Sequence, residues 1–202
     1  MGKNICEYER WEKEGGRLSM YAFEDIHPTS VVFDVGMYKG DWSGEISRKY
    51  NPHIFGFEPI NTFYVNVSKR FESNSKIKIY NYGLGDTYRM DIINVDRDSS
   101  SFFRKGSHPE KVVIKDIFKV TASLDLKEVD LLALNCEGSE YEILQRLLTT
   151  EIINKFKKLF IQFHFIQPEH EALRRNLIKE IAKTHTQEYC YLSIWELWTR
   201  NE

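Results

Sequence analysis

Four acidic or amide residues, Asp34, Glu58, Asp86 and Asn135, each close or follow a short apolar run rich in β-branched and aromatic side chains. Such runs read as buried strands, and open α/β sheets bind ligands just beyond the carboxyl ends of their strands. One acid at a strand end is ordinarily a helix cap or a solvated loop residue; four in register favour a ligand site. Glu58 follows the turn Gly36-Met37-Tyr38-Lys39-Gly40 at roughly the 20-residue spacing of an acid that grips a ribose, whose vicinal hydroxyls match two carboxylate oxygens. Gly36 removes a side chain where the backbone turns sharply toward a ligand, and Gly40 lets a helix start close to the strand.

The elements that must carry these residues follow from periodicity. The run 31–35 predicts a first strand, and Trp42, Ile46 and Tyr50 give the following helix an i, i+4, i+8 apolar face. Asn51-Pro52 breaks the chain, 54–58 reads as a second strand that Pro59 stops, and Phe63, Val67 and Phe71 mark another helix. A third strand spans 77–82, ahead of Gly83-Leu84-Gly85-Asp86. From 87 to 125 the rhythm changes: 90–95 and 112–120 read as strands with no helical pattern between them, an antiparallel excursion at the edge of the crevice. The polar stretch 96–101 and Phe102-Phe103-Arg104 separate those two strands. Then come a strand at 129–134, a turn at Glu137-Gly138, a helix burying Tyr141, Leu144 and Leu148, and a strand at 159–163. A helix at 169–184 and an aromatic strand at 189–198, inserted antiparallel or laid along the sheet edge, close the chain. Residues 4–22 predict a loose amphipathic helix interrupted at Gly15-Gly16. The fold class is α/β, a doubly wound, mostly parallel sheet. Residues 1–30 form an N-terminal helical cap segment and 31–202 the ligand-binding domain.

With 202 residues, 42% hydrophobic and 29% charged, the chain suits one globular domain. A net charge of −2 argues against a nucleic-acid binder that relies on a broad basic field. Lys155, Lys157 and Lys158 read as a solvated surface turn. Three widely spaced cysteines, Cys6, Cys136 and Cys190, read as reduced thiols of a cytoplasmic protein. No stretch is long enough for a membrane span, and the first eight residues are too polar for a signal peptide.

Two ligand classes suit the frame: a dinucleotide such as NAD, or S-adenosylmethionine. The turn lacks the G-x-G-x-x-G of pyrophosphate binders, and Met37, Tyr38 and Lys39 add bulk that crowds a diphosphate. Asp34, just before the turn, suits a cationic amino-acid end, acting on its ammonium by charge or through ordered water. The methyl donor is therefore preferred, with a nicotinamide-dependent oxidoreductase as the remaining alternative.

The motifs Asp34-Val35-Gly36, Gly40-Asp41-Trp42, Phe57-Glu58-Pro59, Gly83-Leu84-Gly85-Asp86 and Asn135-Cys136-Glu137-Gly138-Ser139-Glu140-Tyr141 resemble, in order, those of FkbM-type methyltransferases. The similarity continues through Ile161-Gln162-Phe163-His164, Thr184-His185 and Trp195-Glu196-Leu197-Trp198. The resemblance implies a class I, Rossmann-like fold, S-adenosylmethionine as cofactor, and O-methylation of a sugar or other small-molecule hydroxyl. It implies donor contacts from Asp34, Gly36, Met37, Tyr38, Gly40, Asp41, Trp42, Glu58, Pro59, Gly83, Leu84, Asp86 and Asn135. Many relatives carry a lysine two positions before the Asp or Asn of the EG motif, where this chain has Ala133. That departure raises a second reading, a non-catalytic module that binds the donor.

A neutral hydroxyl needs its proton accepted as it attacks a sulfonium methyl. His164, ending a strand and titrating near neutrality, is the first candidate base, and Glu137 beside Gly138 is the second. Glu140 reads as structural. His53, His108, His170 and His185 show no ligand spacing with one another, so no metal is expected. Phe102, Phe103, Trp195 and Trp198 suit core or edge packing better than acceptor stacking, and Cys136 reads as packing.

Overall fold

The computed structural model describes residues 2–95 and 108–202; the stretch 96–104, with Phe102 and Phe103, lies outside them. Strand β1 (Val31–Val35) leads into helix α3 (Asp41–Tyr50), β2 (His53–Phe57) into α4 (Asn61–Arg70), and β3 (Ile77–Tyr80) follows. Helices α1 (Gly2–Lys13) and α2 (Gly16–Ser19) precede them, with Gly15 left-handed at φ 78 between the two. After the excursion, β7 (Val129–Leu134), α6 (Glu140–Thr149), β8 (Phe156–Ile161), α7 (His170–Ile181), β9 (His185–Tyr191) and β10 (Trp195–Arg200) complete the main sheet.

The seven strands run in the order β3-β2-β1-β7-β8-β10-β9. The first five pair in parallel, and β10 enters antiparallel between β8 and β9. Chain order reverses between β1 and β7, so the helices after these strands cover opposite faces and a crevice opens at the strand tips. Side chains alternate accordingly. Phe33 and Val35 join Leu132, Leu134 and Ile161 under Ile143, Leu144 and Leu147 of α6. Val32 joins Leu131, Ala133 and Phe160 under Ile46 of α3 and Val67 of α4.

Three boundaries differ from the sequence expectation. The third strand ends at Tyr80; Gly83–Gly85 forms β4, which leaves the main sheet to pair in parallel with β6 (His108–Asp116). Strand β5 (Arg89–Val95) lies antiparallel on the other side of β6, as the excursion required. The run expected as one strand to residue 120 breaks at Asp116, whose carboxylate accepts the Phe118 N–H at 2.9 Å and caps α5 (Ile117–Ser123). The single aromatic strand is a hairpin, β9–β10, turning through Ser193 at φ 63. No glycine or proline marks that turn, so the aromatic run concealed it.

The N-terminal segment packs against the sheet. Arg10 donates to the Cys190 carbonyl at 2.6 Å, the Tyr191 hydroxyl bonds Glu14 at 2.7 Å, and Trp11 is buried. Lys157 and Lys158 do not form a solvated turn. They lie on β8, where Lys157 pairs with Glu128 and Asp130 and the buried Lys158 pairs with Asp25 and Glu188. Trp195 stacks on Phe160 with centroids 3.9 Å apart, and Trp198 is buried, so both serve the core. No helix among the described residues is long and apolar enough to cross a membrane.

Candidate active site

The turn after β1 reverses the chain between two strand tips. Gly36, at φ 86, donates its N–H to the Phe57 carbonyl at 3.1 Å. A Cβ at this position would lie 2.0 Å from the Asn135 carbonyl oxygen, so only glycine lets the β1 turn pass the end of β7. At Gly40, φ 74, a Cβ would meet Phe71 at 2.6 Å and Val67 at 2.7 Å; the bare backbone lets α3 begin against α4.

Glu58 stands at the tip of β2, 3% exposed. Its Oε2 accepts the Tyr38 N–H at 2.8 Å and its Oε1 the Ile60 N–H at 2.9 Å. Burial pushes its carboxyl up to about 7; the two N–H groups pull the other way, and the charges of Asp34 and Glu110 add to the rise. Glu58 borders a cavity with Gly36, Tyr38, Pro59, Gly83, Leu84, Asn135 and Glu137. Its apolar wall comes from Ile60, Phe63, Ile93 and Ile114, and Tyr38 sets its ring edge-on to Phe63 at 4.6 Å.

Beyond β7, Glu137 and Gly138 take φ values of 51 and 106, and α6 starts immediately after. The Glu140 carboxylate, fully buried, folds back onto this turn: Oε1 accepts the Cys136 N–H at 3.0 Å and Oε2 the Gly138 N–H at 2.9 Å. His164, past the end of β8, brings Nδ1 to 2.7 Å from Glu140 Oε1 and Nε2 to 3.6 Å from Glu137 Oε1. The two sequence candidates for the base are thus neighbours. Burial, reinforced by the carboxylates of Glu140 and Glu142, holds the Cys136 thiol well above the ordinary thiol range, which suits packing and not nucleophilic attack.

A family model for the methyltransferase FkbM domain matches residues 34–189. The chain belongs to this family. No curated protein sequence matches it. Its fold is similar to that of a candidate rRNA methylase from Clostridium thermocellum (8% identity, 95% of each chain covered, TM-score 0.58). A candidate methyltransferase from Streptococcus mutans, solved with S-adenosylhomocysteine, is also similar (10% identity, 90% of this chain and 94% of that one, TM-score 0.55). So is Aeropyrum pernix fibrillarin with bound S-adenosylmethionine (9% identity, 92% and 74% covered, TM-score 0.52).

Six of the residues expected at the donor site of this FkbM-domain chain are not among the cavity's lining residues. Asp34 points with Val32 to the α3 face, because side chains alternate along β1, and accepts the Ser43 hydroxyl at 2.6 Å. Burial pushes its carboxyl up to about 6, opposed by that hydroxyl. Met37 is buried with its sulfur in the space a Cβ on Gly56 would take. Gly40 caps α3, and Asp41 in its first turn pairs with Arg70 at 2.5 Å. Trp42 donates to the Met20 carbonyl at 2.9 Å and lies over Phe160. Asp86 pairs with Arg89 at 3.3 Å. Asp34, Gly40 and Trp42 support the turn from behind.

Conversely, Ile60, Ile93 and Ile114 line the cavity without a signal in the sequence that singled them out, and Phe63 was read only as a helix face. For Glu140 a signal existed: an acid at a helix start, four residues after Cys136 and two after Gly138, within reach of the turn's amides. Ala133 packs among Val32, Leu131 and Phe160 and does not line the cavity. Among the described residues no group of three His, Cys, Asp or Glu side chains is placed to hold a metal ion.

Proposed function

We propose that the chain is an S-adenosylmethionine-dependent O-methyltransferase acting on a hydroxyl of a small, carbohydrate-like acceptor. The observation that carries this reading is the buried Glu58 carboxylate, held by two backbone amides at the border of a cavity shared with Asn135 and Glu137. The residues fit the donor: a carboxylate for the ribose diol and apolar walls, Pro59, Ile60, Phe63, Leu84 and Ile114, for a flat base. Asp41 at the first turn of α3 opposes a diphosphate where a dinucleotide would place one. Ala133 packs in the core and does not line the cavity, so the absent lysine does not weigh against an enzyme.

When bound, the donor supplies an electrophilic methyl group on a sulfonium. His164 would accept at Nε2 the proton of the attacking hydroxyl as the methyl group is transferred. Glu137 orients the hydroxyl. Holding the reactants at near-attack distance contributes up to roughly ten kcal/mol of the barrier reduction. The groove beside the cavity carries Asp86, Asp91, Glu142 and Glu169 along with Arg89 and Arg146. Its carboxylates disfavour a polyphosphate backbone, which supports a small hydroxylated acceptor over RNA.

Thermal-shift assays test the donor. S-adenosylhomocysteine raises the melting temperature by mass action and NAD does not; the reverse result overturns the reading. A panel of sugar and phenolic alcohols, assayed for methyl transfer with wild type and His164→Ala, tests the chemistry. The expected loss is about 10²–10⁴-fold; full activity without His164 removes it from the mechanism.

A further inference from the structure

We propose that Glu140 is a positioning residue that fixes the neutral tautomer of His164, with the proton on Nδ1 and the basic lone pair on Nε2. This rests on the reading of His164 as the base. The Glu140 carboxylate has no exposed surface, and its oxygens are committed to the Cys136 and Gly138 amides before the imidazole is counted. It is therefore a fixed acceptor. An ionised carboxylate has only lone pairs to offer, so the ring nitrogen 2.7 Å away carries the hydrogen. In the neutral ring that leaves Nε2 unprotonated, and Nε2 is the nitrogen on the side of Glu137, a cavity residue.

The histidine backbone is held from α6 and α7. The Tyr141 hydroxyl donates to the His164 carbonyl at 3.0 Å, and His170 Nδ1 lies 2.8 Å from that oxygen. The Tyr141 and His170 rings pack with centroids 4.2 Å apart. Consecutive residues at the start of α6, Glu140 and Tyr141, thus grip the ring and the main chain of one residue just past the end of β8. With its side chain 14% exposed, the ring is largely withdrawn from water. A proton arriving at Nε2 makes an imidazolium next to a carboxylate already in place, and the fixed charge stabilises it without reorganisation. The same carboxylate also holds the turn that presents Glu137.

The test is nitrogen-15 NMR of the full chain with labelled histidines, His164 being the resonance lost in His164→Gln. The wild type is expected to show the Nδ1–H tautomer when neutral. Glu140→Gln is expected to shift the ring toward Nε2–H and to lower its pKa by about one unit or more, since the stabilising charge is gone. A wild-type Nε2–H tautomer overturns the proposal, as does a Glu140→Gln spectrum and titration identical to wild type. If that variant does not fold, the wild-type tautomer decides alone. Retained methyl transfer in His164→Ala would refute the base assignment while leaving the tautomer measurement intact, so the two failures are distinguishable.

Discussion

The backbone N–H of Tyr38 donates to Glu58 Oε2 at 2.8 Å, tying the glycine turn after β1 to the tip of β2. Glu58 also takes the Ile60 amide, so one carboxylate organises the start of two connections. That arrangement keeps a charge-bearing group buried with no cation beside it among the described residues, and pH dependence follows.

Glu58 has a folded-state pKa of about 7 against an ordinary value of 4.5. Below the ordinary value both folded and unfolded chains hold the proton and the group costs nothing. Between 4.5 and 7 the unfolded chain ionises first, so stability falls as pH rises, then levels off. The cost at pH 8 is about 3 kcal/mol. Urea melts at pH 5 and pH 8 should show a smaller stability change in Glu58→Gln than in wild type; equal changes refute the assignment. Under the proposed function, S-adenosylhomocysteine binding tightens from pH 6 to pH 8 as the carboxylate forms, which calorimetry reads directly.

Gly36→Ala places a methyl 2.0 Å from the Asn135 carbonyl at a φ of 86. Left-handed strain and the displaced backbone together cost about 2 kcal/mol or more. A melting temperature lowered by roughly 5 °C or more is expected. Unchanged stability would mean that the two strand tips are farther apart than the structure places them.

Arg174 donates Nε to Glu196 Oε1 at 2.6 Å, and Glu196 is 1% exposed. Burial pushes the Glu196 carboxyl up, with Arg174 opposing. Arg174→Ala strands that carboxylate and should destabilise the fold by about 3 kcal/mol or more. Adding Glu196→Gln should restore part of the loss in denaturant titrations. A double variant no more stable than the single one would show that the charge is not the cause.

Asp41→Ala provides the contrast. Its side chain is 76% exposed and pairs with Arg70 at the surface. Stability should change by less than about 1 kcal/mol, and S-adenosylhomocysteine affinity should stay within about threefold. A large loss of affinity would return Asp41 to the donor site.

What was legible in the sequence was local in origin. The strand runs, the glycine turn, and the acids Glu58 and Glu137 at predicted tips are short-range patterns, and the tip position follows from periodicity alone. So did the interruption at Gly15-Gly16 and the antiparallel pairing of β5 with β6. The β9–β10 turn was not legible, because Leu192-Ser193-Ile194 continues an aromatic, apolar run without a breaker.

By itself the sequence determined the α/β class, the strands whose tips carry Asp34, Glu58 and Asn135, and the membership that the FkbM-domain match bears out. Tertiary structure alone decided which of those groups share one space. Alternation along β1 turned Asp34 away from the cavity, while pairing of Gly83 with Ile114 brought an apolar wall from 31 residues downstream. It also brought His164 to Glu140 across 24 residues. Backbone periodicity is set by neighbouring residues, but the meeting of side chains from separate strands depends on how the sheet orders them. That ordering made a buried carboxylate the partner of a histidine.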